Sequence, residues 1–291
     1  MEKRIGRPGF GLIGAGISRA RKSLADGMVR RLRPHWIRNS LALEGYERFG
    51  PLDRMALPQG GRLAVVAPHP DDESIGAGGL IALWAQAGRQ AEVVVVTDGA
   101  AGHPALREAG LAPSDRAALA SETTARRRAE CDAALAVLGA RGRWLDGTDG
   151  ALWRDEARLA RTLEAEWRAF RPDCLAVPFP ADRHRDHAVS ARIAAKAGMA
   201  ALPEDTLVLC YEVWSPCPAN AVLDISAVAA EKDRAIACHA TQTASTDYVA
   251  AMQGLNRYRA ITAGLPPGSR AEAFHRCTLA GLAALCARLE V

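Results

Sequence analysis

Two rhythms of apolar residues alternate along this chain. Short unbroken runs such as RLAVVA (62–67), AEVVVVT (91–97) and CLAVPF (174–179) are separated by longer stretches in which apolar positions recur every three or four residues. A short run rich in β-branched residues suits a strand buried on both faces, and the longer period suits helices packed over such strands. The pattern predicts strands over 62–67, 91–97, 174–179, 206–213 and 221–225, with a further short one over 143–145. Helices are predicted over 75–87, 155–170 and 188–201, the second bounded by Pro172. Another is predicted to begin with N-cap chemistry at Ser121-Glu122-Thr123-Thr124 and to end near Leu138, with Gly139 as C-cap. Residues 98–120 read as a long loop of Gly, Ala and Pro, and the chain after Ile225 as mostly helical. Strand and helix in alternation predict an α/β fold, a mostly parallel sheet with helices on both faces.

Composition changes this picture little, and charge changes it at one end. Of the 291 residues 49% are hydrophobic and 24% charged, which is ordinary for a soluble protein, and with 5% aromatics the core must be filled by Ala, Val and Leu. Seven cysteines without a C-x-x-C pair fit neither a disulfide scaffold nor a cysteine zinc site, so reduced cytoplasmic thiols are expected. The first 38 residues hold ten Lys and Arg against two acids, whereas the remainder holds 27 against 31. We therefore divide the chain into a basic N-terminal extension, 1–55, and a mildly acidic domain, 56–291. A basic arm attracts anionic partners. Residues 9–17 are too short and too rich in glycine for a secretory signal, and no run approaches the roughly 18 apolar residues of a membrane span. Residues 17–36 have the spacing of a basic amphipathic helix, with Ile17, Leu24, Met28 and Leu32 near one face. Such a helix is either solvated or packed on a partner, or it lies on an anionic membrane surface. The expected location is cytoplasmic, with the inner membrane surface as the extension's own alternative, and no nucleic acid partner is expected. Gly9-Phe10-Gly11-Leu12-Ile13-Gly14 spells G-x-G-x-x-G, but no strand precedes it, so the dinucleotide mechanism has no scaffold there.

Candidate chemistry gathers at two predicted strand ends. The strand 62–67 runs into Pro68-His69-Pro70-Asp71-Asp72-Glu73, and CLAVPF runs into Asp182-Arg183-His184-Arg185-Asp186-His187. Open α/β sheets place ligands at such ends, and neighbouring strands would bring the two clusters together. Each alone reads as solvated helix-start charge. Together His69, Asp71, Asp72, Glu73, His184, Asp186 and His187 supply the nitrogen and oxygen donors that suit Zn²⁺ or another first-row divalent ion. Three protein ligands and an open position would make the metal catalytic.

These stretches resemble the PIG-L or LmbE-like family of zinc-dependent N-acetylglucosaminide de-N-acetylases, over roughly residues 60–243 and extending through Ala271-Glu272-Ala273-Phe274. Pro68 to Glu73 with Gly76 and Gly78-Gly79 behind it, and His184-x-Asp186-His187, carry the resemblance. Thr97-Asp98-Gly99, Arg127-x-x-Glu130 and the stretch from Lys232 through Gln242 support it. The resemblance implies a Rossmann-like fold and a hydrolase acting on an N-acetylated amino sugar. It implies His69, Asp72 and His187 as metal ligands, Asp71 as general base, and His184 beside the scissile carbonyl. Asp186 is either an orienting residue or a helix N-terminal acid; Glu73, Arg127 and Glu130 are expected to build the site or position substrate. The family commonly reads His-Pro-Asp-His where this chain has Arg185 in the proline position. Two other readings stand beside the deacetylase: another metal-dependent amide or ester hydrolase, and a silent carbohydrate- or membrane-binding protein, against which the intact Asp71 speaks.

Overall fold

The computed structural model describes residues 52–107 and 110–289. The basic extension up to residue 51, with its predicted amphipathic helix and its glycine motif, lies outside the described residues. The sheet begins at β1 (Asp53–Met55), inside the stretch counted with the extension, and β1 pairs in parallel with β7 (Ala221–Asp224). In chain order there follow β2 (Arg62–Ala67), α1 (Asp72–Gln86), β3 (Gln90–Thr97), α2 (Pro113–Leu138), β4 (Arg141–Gly147), α3 (Glu156–Phe170) and β5 (Cys174–Pro178). Then come α4 (Arg185–Ala201), β6 (Leu207–Tyr211), β7, α5 (Ala229–Cys238), α6 (Ala240–Thr243), α7 (Tyr248–Thr262), β8 (Ala271–Thr278) and α8 (Leu279–Leu289).

The eight strands form one sheet in the order β1-β7-β8-β6-β5-β2-β3-β4. It is parallel except at β8, which runs antiparallel to both β6 and β7. Leu63, Val65, Ala67, Val93 and Val95 point into one core with residues of α1 and α2, and the intervening Ala64, Val66, Val94 and Val96 are equally buried on the other face. Both faces are therefore covered, with α1, α2 and α5 packed together in one layer and α3, α4 and α8 in the other. Among the described residues no helix is long and apolar enough to cross a membrane.

Two expectations from the sequence are corrected. The supposed loop 98–120 holds two short 3-10 turns, and from Pro113 it is the start of α2, eight residues before Ser121. Proline fits the first helical turn, where no intrahelical bond is asked of its nitrogen. Thr123 then lies inside the helix and donates its hydroxyl to Leu119 O at 2.7 Å rather than capping it. The second correction is β8, in the region read as helical. Its one acid, Glu272, interrupts the apolar pattern of AEAFHRCT, yet is buried.

Glu272 has a structural assignment. Its carboxylate accepts the backbone N–H groups of Gly79 at 2.7 Å and Leu80 at 2.8 Å in the middle of α1, and the ammonium of Lys232 from α5 at 2.6 Å. Close approach explains the glycines there. A Cβ on Gly76 would stand 2.1 Å from the ring of Tyr211, and one on Gly79 2.5 Å from Ile225. The Tyr211 hydroxyl passes beneath to bond Val66 O. Thus Gly76, Gly79, Lys232 and Glu272 form a packing unit that seats α1, and with it the residues at its start, on the sheet. Glu272→Ala leaves a buried ammonium without its partner, a loss of about 3–5 kcal/mol; urea unfolding should show this as a lower midpoint, whereas replacing the exposed Glu122 should move it by less than about 0.5 kcal/mol.

Candidate metal centre

From β2 the chain passes through α1 to β3 on one side, and from β5 through α4 to β6 on the other. A crevice consequently opens beyond the carboxyl ends of the adjacent β2 and β5, where no connection crosses. The two sequence clusters meet there. The imidazole centroid of His69 lies 4.7 Å from that of His184 and 5.3 Å from that of His187, and the last two are 5.0 Å apart.

Asp72 joins the two clusters. Its Oδ2 accepts the backbone N–H of His69 at 2.8 Å, lies 3.1 Å from His69 Nδ1 and 3.2 Å from His187 Nε2. The other edge of His69 meets two further carboxylates, with Nε2 3.3 Å from Asp149 and 3.6 Å from Asp186. In each of two sets, His69–His184–His187 and His69–Asp149–Asp186, the ligand atoms lie within 4.8 Å of one another; Asp72 belongs to neither set, although its Oδ2 approaches both His69 and His187. His69 Nε2 and both nitrogens of His187 are buried and make no hydrogen bond of proper geometry, despite carboxylates at ion-pair distance. Unsatisfied imidazole nitrogens ringed by carboxylates are a donor set that suits a first-row divalent cation.

The electrostatics agree. Burial works against a charge on His69, but Asp149, Asp186 and Asp72 outweigh it and hold its pKa well above the ordinary value. Burial likewise opposes the charge on His187, and Asp72 with Asp182 pushes it up to about 9. Asp72 is held well below the carboxylate range, its own burial being overcome by His187 and His69. A crevice that draws protons onto buried imidazoles is one in which positive charge is favoured.

Three residues that sequence reasoning did not single out complete the site. Asp149 follows β4 in Thr148-Asp149-Gly150, and its turn is tied to α4 because Asp186 accepts Gly150 N–H at 2.7 Å and Leu152 N–H at 3.4 Å. Asp186 is thus both a wall of the crevice and the brace of this turn. Asp182 accepts the backbone N–H groups of His184 at 2.9 Å, Trp214 at 2.9 Å and Ser215 at 3.2 Å, and lies 3.5 Å from His187 Nδ1. His239 lies behind Glu73, as described next. An acid in a polar turn carries no visible label, so only a knowledge of which strand ends adjoin could have found Asp149.

Asp71 is held on several sides. Its φ of 149° is a conformation L residues avoid, costing about 1–3 kcal/mol. Glu73 accepts the Asp71 N–H at 3.0 Å and is itself fastened by Ser74 Oγ at 2.7 Å and His239 Nε2 at 3.0 Å. Buried Arg127 donates to Asp71 Oδ2 at 3.2 Å, Pro70 O at 3.0 Å and Gly99 O at 3.0 Å. Burial pushes the Asp71 carboxyl up to about 6, against the pull of Arg127 and with the push of Asp72. Glu130 turns away and accepts the N–H and hydroxyl of Thr241 at 2.9 and 2.6 Å. His184 caps α4: its Nδ1 accepts the Asp186 N–H at 3.3 Å, which leaves the ring proton on Nε2. Its pKa is lowered by burial and by the neighbouring His69 and His187, which favours this neutral form.

Residues 64–198 match the family model PIG-L, GlcNAc-PI de-N-acetylase. The match covers under half of the chain. The match spans β2 to the end of α4 and so includes both clusters of the crevice. A 1D-myo-inositol 2-acetamido-2-deoxy-alpha-D-glucopyranoside deacetylase of Actinosynnema mirum is 40% identical over 124 residues, 40% of this chain and 40% of that protein. The chain thus spans under half the length of that curated relative. Among solved structures, 75% of this chain resembles 96% of the 4-carboxy-2-hydroxymuconate hydratase GalB of Pseudomonas putida KT2440, with 24% identity and a TM-score of 0.62. The chain also resembles the N,N'-diacetylchitobiose deacetylase of Pyrococcus horikoshii, with 23% identity, a TM-score of 0.59, and coverage of 75% and 84%. At these identities both share the fold, and their two names describe different chemistry.

The bonds made by Asp182 generate a test of how the second cluster is held. Asp182→Ala leaves three backbone N–H groups without their acceptor, a loss of about 1–3 kcal/mol for each one that stays buried. Hydrogen exchange should quicken at the amides of His184, Trp214 and Ser215 in that variant while those of β2 keep their protection.

Proposed function

We propose that this chain is a metal-dependent hydrolase that removes the N-acetyl group from an N-acetylglucosamine-type sugar in a glycoconjugate. The observation that carries the reading is the set of buried imidazole nitrogens without hydrogen-bond partners, within the stretch that matches the PIG-L family model. His69, Asp72 and His187 would hold the ion, zinc or another first-row divalent metal, with Asp149 and Asp186 adding negative charge on the far edge of His69. Such an ion, when bound, lowers the pKa of water toward about 7 and acts as a Lewis acid on a carbonyl.

The chain's own groups would do the rest. Asp71, with one oxygen engaged by Arg127 and a carboxyl pushed toward about 6, is suited to take the proton of the attacking water and pass it to the leaving amine. Arg127 and Glu73 would fix its direction from the side chain and from the backbone. His184, neutral with its proton on Nε2, would donate a hydrogen bond to the carbonyl oxygen as negative charge grows there, a contribution whose loss typically costs about 10² to 10³ in rate. The basic extension, with its surplus of eight positive charges, would bring the enzyme to an anionic membrane surface where the sugar is lipid-linked.

Acetate release from a soluble N-acetylglucosaminide, measured with and without chelator, tests the activity. The protein should carry about one divalent ion per chain, and His69→Ala, Asp72→Ala and His187→Ala should each weaken its retention on dialysis. Retention equal to the parent's in all three variants would refute the ligand set. Asp71→Asn should keep the metal and the melting temperature and lower kcat by about 10² to 10⁴. Near-parent turnover would move the base to another residue.

A further inference from the structure

The residue that replaces the family's proline belongs to a second constellation. Arg185 stands between His184 and Asp186 in sequence, on the first turn of α4, and its guanidinium carbon lies 5.2 Å from the ring centroid of Trp153. Arg154 lies over the same indole at 5.0 Å. Trp153 is on the 3-10 turn Leu152–Arg154, which Asp186 braces against α4, and is 43% exposed. The layer is therefore attached to the rim of the crevice by the same carboxylate that faces His69.

Arginines held over an indole elsewhere in the chain are satisfied by the protein itself. Arg128 lies over Trp144 and bonds Asp146; Arg89 lies over Trp84 and bonds Pro58 O. Arg154 and Arg185 differ. Among the described residues neither side chain makes a hydrogen bond or an ion pair, and both are exposed. The acids next to them in sequence are turned elsewhere: Asp155 to Thr148 and Arg158, Asp186 to the 150–152 turn. Exposed Arg183, two residues before Arg185, adds a third cation that has no carboxylate partner among the described residues. An aromatic face restrains a guanidinium and leaves its planar fork of N–H donors for an oxyanion. Because cations already lie over Trp153, its ring serves better to hold them than to stack on a sugar.

We propose that Arg185 and Arg154, steadied by Trp153 and assisted by Arg183, form a subsite for an oxyanion, phosphate or carboxylate, carried by the aglycone of the substrate. This rests on the deacetylase reading, because that reading puts the acylated sugar in the adjoining crevice. The subsite selects among N-acetylated sugars by charge and takes no part in bond breaking.

Calorimetry on the full-length protein tests it, with methyl N-acetylglucosaminide, N-acetylglucosamine 1-phosphate and an N-acetylglucosaminide bearing a carboxylate on its aglycone as probes. Each titration is repeated with chelator, since phosphate can also ligate a metal. Both anionic sugars should bind about tenfold more tightly than the neutral one at low salt, with the advantage falling as salt rises. In the Arg154→Ala/Arg185→Ala double variant the ratio of affinities should collapse toward one, and Arg185→Lys should retain part of it. Equal affinities in the parent, or an unchanged ratio in the double variant, overturn the subsite, as does a preference that disappears with chelator alone. Failure to release acetate from any probe overturns the deacetylase reading instead, and the affinity ratio still decides the subsite.

Discussion

Charges are costly to bury, and the carboxyl end of β2 buries Asp71, Asp72 and Glu73 in succession. The molecule answers each acid differently. Asp71 is met by Arg127, Glu73 by Ser74 and His239, and Asp72 by two imidazoles. The last arrangement leaves His69 Nε2 and both nitrogens of His187 unsatisfied and draws in still more negative charge from Asp149 and Asp186. Imidazole nitrogens left without partners among carboxylates at a strand end invite a ligand. The division of labour among neighbouring acids thus follows from the partners that other strands bring to them.

Those partners come from distant parts of the chain, which explains what could be read in advance. β2, β3, β5 and α4 were legible because each states its own pattern: a short apolar run or a helical period, ending at a cluster of chemical residues. The meeting of His69 with His187 was foreseeable once β2 and β5 were taken as neighbours. β8 was not legible, because Glu272 occupies a position where an apolar residue would have announced a strand. The start of α2 was hidden by Ser121 to Thr124, which spell a helix cap and lie mid-helix. Asp149 and Asp182 were invisible as functional residues because an Asp in a turn is ordinary until its neighbours are known.

The parts of the resemblance outside the two acid and histidine clusters acquire separate meanings in three dimensions. Gly76, Gly79, Lys232 and Glu272 are a packing unit, with glycines admitting Tyr211 and Ile225 and the ion pair anchoring mid-helix amides. Glu130 and Thr241 clip α2 to the segment after α5. Arg127, by contrast, reaches the crevice. Similar letters in a motif therefore serve rigidity in one place and chemistry in another, and burial alone does not tell them apart.

The bonds from Glu272 to Gly79 and Leu80 cross more than 190 positions of chain. While the protein is being synthesised, α1 and the metal-site residues at its start therefore wait for a partner more than 190 residues further along the chain. Neither β2 nor α1 can settle into its final seat when it leaves the ribosome, and the family-matched stretch, ending at residue 198, is completed by strands that follow it. Closing contacts of such sequence separation is slow. The crevice is consequently among the last features to mature, and a nascent chain stalled before β8 would present its histidines and carboxylates on a partly built sheet.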